Sequence, residues 1–275
     1  MHTIPRLSHP LVSVRRLFTE PSVVTRDLLV ALMRGNDRFV THVKQKRLMR
    51  RNAANRSVIF VWIPKSAGTS VFAAMEKHGA QKLLSTQAIA AYFRQKGVVT
   101  FGHIYVPALI QSGLVTHNFF QSSYKFTIVR NPFDRLVSLY EYLKRMNFLP
   151  KTTTFDIFCE YVRARAWEDI GLINHDGLNQ LHPQTTWILD AMGKVFTDDI
   201  YRFEDLSNQW SEIWTRVGMP GKPPPLDILN RSERKPVSEY FCDRQIEIIQ
   251  EVYCNDFAQF GYSSDPYWHR KSICR

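Results

Sequence analysis

The sequence predicts an α/β domain of three layers around a mainly parallel central sheet, with a P-loop-like turn after its first strand and a basic helical arm ahead of it. Three features of the chain lead there. Ser57-Val-Ile-Phe-Val-Trp-Ile63 is an almost unbroken apolar, β-branched run, as a strand buried on both faces requires. Strand-like and helix-like segments then alternate, which favours crossover connections and parallel pairing. Charge is also uneven. The 275 residues carry a formal +11, with 36 Lys and Arg against 25 Asp and Glu. Residues 1–56 hold 12 against 3, giving +9, and residues 57–275 hold 24 against 22, giving only +2.

In the arm, Val24, Leu28, Leu32, Phe39 and Val43 recur at near-helical spacing among Arg26, Arg34, Arg38, Lys44, Lys46 and Arg47. This reads as a basic amphipathic helix over 21–48, interrupted near Gly35, that either packs on the domain or meets an anionic surface. The division is thus a basic arm, 1–56, and a domain, 57–275. After the first strand come Pro64-Lys-Ser-Ala-Gly-Thr-Ser70 and a helix over about 70–77. Strands at 98–101 and 124–129 lead into Gly102-His103 and Arg130-Asn131-Pro132. The following helix has Pro132 in its first turn and an apolar stripe of Leu136, Leu139, Tyr140 and Leu143. Farther on, 155–166 reads as a helix, 194–202 as short strand material and 206–217 as a helix. A Pro/Gly loop at 218–225 and the basic stretch Asn230-Arg-Ser-Glu-Arg-Lys235 precede a long helix over 243–260, with Ile246, Ile249, Tyr253, Phe257 and Phe260 at core spacing.

The chain has no run of about 18 apolar residues; 28–33 is far too short to span a bilayer. Its start lacks the apolar region and small-residue cleavage site of a signal peptide. The expectation is a cytoplasmic protein, with the arm resting peripherally on anionic lipid. Cys159, Cys242, Cys254 and Cys274 form no CxxC pair, which fits a reducing compartment and leaves a Cys242 to Cys254 bridge open. No His, Cys, Asp and Glu cluster has metal-ligand spacing.

In such a sheet, ligands gather at the carboxyl ends of the strands. A strand, a short loop through Gly68-Thr69-Ser70 and a helix bring backbone N–H groups and the positive helix end to an anion. Lys65 adds a point charge, Gly68 permits close backbone approach, and the hydroxyls of Ser66, Thr69 and Ser70 are further donors. The plainer alternative is an ordinary turn with Thr69 or Ser70 as N-cap. A nucleoside-triphosphate P-loop is disfavoured, because it needs GxxxxGK followed by Ser or Thr, and here Lys precedes Gly by three positions. Arg130 offers a phosphate a bidentate fork, and Ser138, two helical turns on, offers a hydroxyl. Arg135 reads as solvated or paired with an acid.

Pro64-Lys-Ser-Ala-Gly-Thr-Ser70 resembles the 5′-phosphosulfate loop of sulfotransferases that use 3′-phosphoadenosine-5′-phosphosulfate (PAPS). Arg130-Asn-Pro-Phe-Asp-Arg-Leu-Val-Ser138 is similar to their 3′-phosphate segment. Gly102-His103, Tyr201-Arg-Phe-Glu-Asp-Leu206, the loop from Asn230 to Lys235 and the ending Tyr253-x-x-Asp256-Phe-x-x-Phe-Gly-Tyr262 add to the likeness. It is nearest to the membrane-associated carbohydrate sulfotransferases of the chondroitin, dermatan and uronyl branch, and it covers 57–262.

The resemblance implies transfer of a sulfuryl group from PAPS to a glycan or glycolipid hydroxyl without a metal, releasing 3′,5′-adenosine bisphosphate. Lys65, Ser66, Ala67, Gly68, Thr69 and Ser70 would cradle the donor's 5′ side. Arg130 and Ser138 would grip its 3′-phosphate, with Arg231, Ser232 and Lys235 closing over it. Lys65 would stabilise the leaving oxygen. His103, which follows a strand where related enzymes carry a Gly-His base, would deprotonate the acceptor; Glu76 is a weaker choice of base. His182 stands ahead of Glu76 as the second choice of base and would alternatively contact the acceptor or close the site, and Glu204 would order a strand end by hydrogen bonds. The competing expectation is a basic adaptor that binds nucleic acid or anionic membrane through 1–56, although no nucleic-acid motif is visible.

Overall fold

The computed structural model describes residues 56–82, 97–103, 115–166, 174–175, 178–190, 192–227 and 234–267. The arm helix, Arg231 and Ser232 lie outside them. The first strand, β1 (Ser57–Val61), runs into a loop and α1 (Gly68–Glu76). There follow β2 (Gln81–Lys82), β3 (Gly97–Thr100), α2 (His117–Ser122), β4 (Tyr124–Val129), α3 (Pro132–Arg145) and α4 (Phe155–Arg165). A small antiparallel pair, β5 (Asn174–His175) and β6 (Leu178–Asn179), precedes β7 (Asp199–Arg202), α5 (Leu206–Val217), α6 (Asp243–Val252) and α7 (Cys254–Phe260).

The main sheet is parallel throughout, in the order β2-β3-β1-β4-β7. β1 is its central strand, and its alternation sorts side chains into two layers. Val58, Phe60 and Trp62 join Val71 and Met75 of α1 and Trp210, Ile213 and Trp214 of α5. Ile59, Val61 and Ile63 join Phe119 and Phe120 of α2, Trp187 and Phe260 of α7. The apolar run therefore has the physical cause expected of it: neither face of β1 meets water. A third cluster packs α3, α4, α6 and α7 together through residues such as Leu136, Leu139, Phe158, Val162, Ile248 and Val252.

α3 begins as the sequence predicts. Pro132 stands in its first turn, and the Asn131 side chain accepts from the Phe133 N–H at 3.0 Å. The long helix expected over 243–260 is instead two helices broken at Tyr253, whose ring is buried and whose hydroxyl donates to the Leu181 carbonyl at 2.8 Å. The strand material over 194–202 divides into a single bridge, Val195 to Leu189, and β7. β2, α2 and the β5–β6 pair are too short for a periodic pattern to reveal. Cys159, Cys242 and Cys254 are free thiols, so no Cys242 to Cys254 bridge forms. Among the described residues, no helix is long and apolar enough to cross a membrane.

Strand order changes direction around β1: β3 lies on one side of it and β4 on the other. A crevice therefore opens beyond the carboxyl ends of these strands. The segments leaving those three ends are Trp62 to Ala67, Phe101 to His103, and Arg130 with Asn131.

Candidate active site

The loop after β1 is held in an unusual conformation. Lys65 and Ala67, neither of them glycine, both have φ of 66°, a left-handed geometry that costs roughly 1–2 kcal/mol per residue. Three side chains maintain it. Ser66 Oγ donates to the Ile63 carbonyl at 2.7 Å. Arg135 Nε donates to the Pro64 carbonyl at 3.1 Å, and Arg130 Nη1 donates to the Lys65 carbonyl at 3.1 Å. Because C=O and N–H point in opposite directions across a trans peptide, fixing the Pro64 and Lys65 carbonyls turns the amides of Lys65 and Ser66 the other way. Ala67 in the left-handed region followed by helical Gly68 is the turn that makes a concave nest of N–H groups.

The helix end agrees with that reading. The N-cap of α1 is Ala67, with no side-chain cap, so the alternative in which Thr69 or Ser70 caps an ordinary turn does not occur. The first ladder bond runs from the Val71 N–H to the Ala67 carbonyl at 3.2 Å. The amides of Gly68, Thr69 and Ser70 precede it and point out of the positive helix end. Thr69 is exposed and Ser70 is buried. The Ser66 hydroxyl proton is already used inside the loop, on the Ile63 carbonyl, so it differs from the further hydroxyl donor that the sequence predicts at this position.

Gly68 is required by more than ligand approach. A Cβ built there would lie 1.9 Å from Trp62 Nε1, and Trp62 cannot yield, being packed against Phe60, Phe72 and His103. Gly68→Ala is expected to lower stability by about 1–3 kcal/mol, as overpacking does. For a chain of this size that is a fall in Tm of about 3–10 °C, measurable by thermal unfolding; an unchanged Tm would show that Trp62 moves aside without cost.

Arg130 is 8% exposed and is the hub of the site. Its main chain is clamped by Gln184, which accepts the Arg130 N–H at 2.9 Å and donates to the Arg130 carbonyl at 2.8 Å. Gln184 is itself fixed by the fully buried Asp256, whose carboxylate accepts the main-chain N–H groups of Gln184 at 2.8 Å and Thr185 at 2.9 Å. On the side chain, Arg130 Nε donates to Asp134 Oδ2 at 2.6 Å, and the guanidinium carbon lies 4.0 Å from the centre of the Phe203 ring. Asp134 also pairs with Arg234. Burial would raise the Asp134 carboxyl, but Arg130 and Arg234 outweigh it and hold the group below the usual carboxylate range. Arg130 Nη2 has no partner among the described residues and can turn to an anion.

Lys65 is half-buried, with Nζ 4.1 Å from the centre of the Tyr142 ring. Burial, followed by the charges of Arg130, Arg145 and Arg234, lowers its pKa to about 8. Every charged neighbour that shifts it is a cation, so the region has positive potential that a bound anion would relieve. His103 stands at the end of β3 with Nδ1 3.1 Å from the Trp62 carbonyl. The carbonyl accepts, so Nδ1 carries the proton and Nε2 bears the lone pair of the neutral ring. Trp62 and Trp187 meet the imidazole edge-on, at 5.5 and 6.5 Å between ring centres.

The other expected residues are placed as follows. Ser138 is half-buried on α3, one helical turn beyond Asp134. His182 is buried two residues before Gln184, and Lys235 is exposed beside Arg234. Glu76 lies at the far end of α1, about 12 Å along the axis from the helix start, which removes it as a base at the loop. Glu204 does order the strand ends, accepting the Asn131 N–H and the Tyr262 hydroxyl, each at 2.8 Å. Arg135 departs from expectation: it is 1% exposed and donates to the Pro64 and Gln180 carbonyls, so it braces the loop from within. Gln184, Asp256, Arg234 and Tyr142 had no role read from sequence; Asp256 and Arg234 stood inside segments of family likeness, whereas nothing marked Gln184 or Tyr142. Among the described residues, no three His, Cys, Asp or Glu side chains are grouped to hold a metal.

Compared with known proteins, residues 51–263 match the model of the sulfotransferase family. No curated protein matches the chain.

Proposed function

Because the chain belongs to the sulfotransferase family, we propose that it moves the sulfuryl group of PAPS to a hydroxyl of a carbohydrate acceptor. The observation that carries this reading is the Lys65 loop, in which an uncapped helix end, two left-handed residues and a set of cations converge and are tied to Arg130. The donor brings the activated sulfur. His103 Nε2 takes the acceptor's proton as its oxygen forms the new bond to sulfur. The bond from sulfur to the 5′-phosphate oxygen breaks, and Lys65 with the loop amides stabilises the charge that this oxygen gains. Arg130 and Ser138, with Arg231, Ser232 and Lys235, hold the 3′-phosphate, and His182 meets the acceptor. The carbohydrate acceptor itself rests on the likeness of the motifs to that branch of the family.

Calorimetry and thermal shift test the donor. 3′,5′-Adenosine bisphosphate at about 100 times its Kd should stabilise the protein by about 2.7 kcal/mol, whereas ATP and ADP should do much less; a response to ATP alone would sink the reading. Binding should also depend on pH. A phosphate beside Lys65 raises a pKa that is about 8 in the unliganded protein, so binding takes up a proton and affinity falls as pH rises through 8. Binding heats measured near pH 8 in two buffers of different ionisation enthalpy should differ by that proton. A screen of glycan acceptors with radiolabelled donor identifies the sugar.

A further inference from the structure

Helix α3 presents one stripe to the site, with Asp134, Ser138 and Tyr142 recurring every fourth residue. Asp134 grips Arg130 and Arg234, and Ser138 stands next along the stripe. Tyr142 has no part in any donor-binding motif, yet its ring centre lies 4.1 Å from Lys65 Nζ. Arg145, one turn on, lies 5.9 Å from the same ring. We infer that Tyr142 is a positioning residue: its ring face holds the Lys65 ammonium over the loop and favours the cation against the surrounding arginines. The inference rests on the role of Lys65 at the leaving oxygen.

The physical case is one of opposing fields. Lys65 is half-buried and faces Arg130 at the end of β4, Arg145 on α3 and Arg234 in the loop before α6. The nearby carboxylate of Asp134 is already shared between Arg130 and Arg234. An aromatic face attracts an ammonium but does little for a neutral amine, so the ring counters what burial and the arginines do. It also fixes Nζ in place, limiting the number of directions in which a long side chain can wander.

The test reads Lys65 directly, without transferase chemistry. Trace acetic anhydride acetylates neutral amines, and mass spectrometry of the Lys65 peptide gives the rate against pH. In the wild-type chain the half-maximum should fall near pH 8. In Tyr142→Leu it should move down by about 0.5–1 unit, so the rate at pH 7 rises about three- to fivefold. Tyr142→Phe keeps the ring and should follow wild type, and Tyr142→Met provides a second non-aromatic replacement should leucine fail to fold. In transfer assays the alkaline limb of kcat should move with the acetylation profile in the non-aromatic variant, while donor KM at pH 6.5 stays within twofold. A Leu or Met profile that overlays wild type overturns the inference, as does a Phe profile that shifts with Leu. A shifted acetylation profile in a protein that transfers no sulfuryl group would instead sustain the Tyr142 contact and overturn the proposed function.

Discussion

Lys65→Ala is expected to lower kcat for sulfuryl transfer by about 10²–10³-fold, the usual cost of removing a group that stabilises charge appearing only in the transition state. Donor binding should weaken less, because the loop amides, the helix end and Arg130 remain. The fold should survive. Lys65 is an ammonium crowded by burial and by Arg130, Arg145 and Arg234, so at pH 7 its charge opposes folding. The sign follows from its lowered pKa: between pH 8 and 10.5 the unfolded chain binds more protons than the folded one, and stability gained from this group rises with pH over that window. Removing the amine takes away a charge penalty, and Tm at pH 7 should be unchanged or higher. Radiolabelled transfer paired with a thermal melt reads both quantities; a variant with kcat within threefold of wild type would exclude Lys65 from the chemistry.

His103→Ala should cost about 10²–10⁴-fold in kcat, the range of a general base, with donor KM within about twofold because the imidazole belongs to the end of β3 and not to the donor cradle. The Nδ1 bond to the Trp62 carbonyl at 3.1 Å matters here, since it leaves Nε2 as the basic nitrogen. Near-normal kcat in His103→Ala would rule out this base and move attention to His182, which lies in the segment that clamps Arg130.

Much of the site is legible as linear chemistry. Lys65, Gly68 and Arg130 sit at strand ends in segments whose composition already suits an anion, and strand–loop–helix order places those segments at one edge of the sheet. What is not legible is the bracing. Arg135 looks like a solvated helix residue in the sequence, but it is buried, because α3 packs on the loop and the Pro64 and Gln180 carbonyls replace its water. Gln184 lies 54 residues from Arg130 and Asp256 lies 72 residues from Gln184; no period or spacing connects such partners. Charge is likewise uneven along the chain: +9 of the +11 belongs to residues 1–56 and +2 to residues 57–275, so the cations gathered around Lys65 reflect placement and not an excess of charge in that part of the sequence.

By itself, then, the sequence determined the parallel α/β order and marked the Lys65 loop and the Arg130 segment as candidates for an anion, because burial on both faces and strand-to-helix turns leave local patterns. Tertiary structure alone decided how that site is made rigid. The left-handed backbone at Lys65 and Ala67 is held by Ser66 from within the loop and by Arg135 and Arg130, which arrive from another part of the chain to bind the Pro64 and Lys65 carbonyls. The pKa of Lys65 is lowered by burial and by three arginines, and its ammonium lies over the face of Tyr142, all of which folding brings together. Electrostatic fields depend on distance in space, and distance in space is what a linear pattern does not contain.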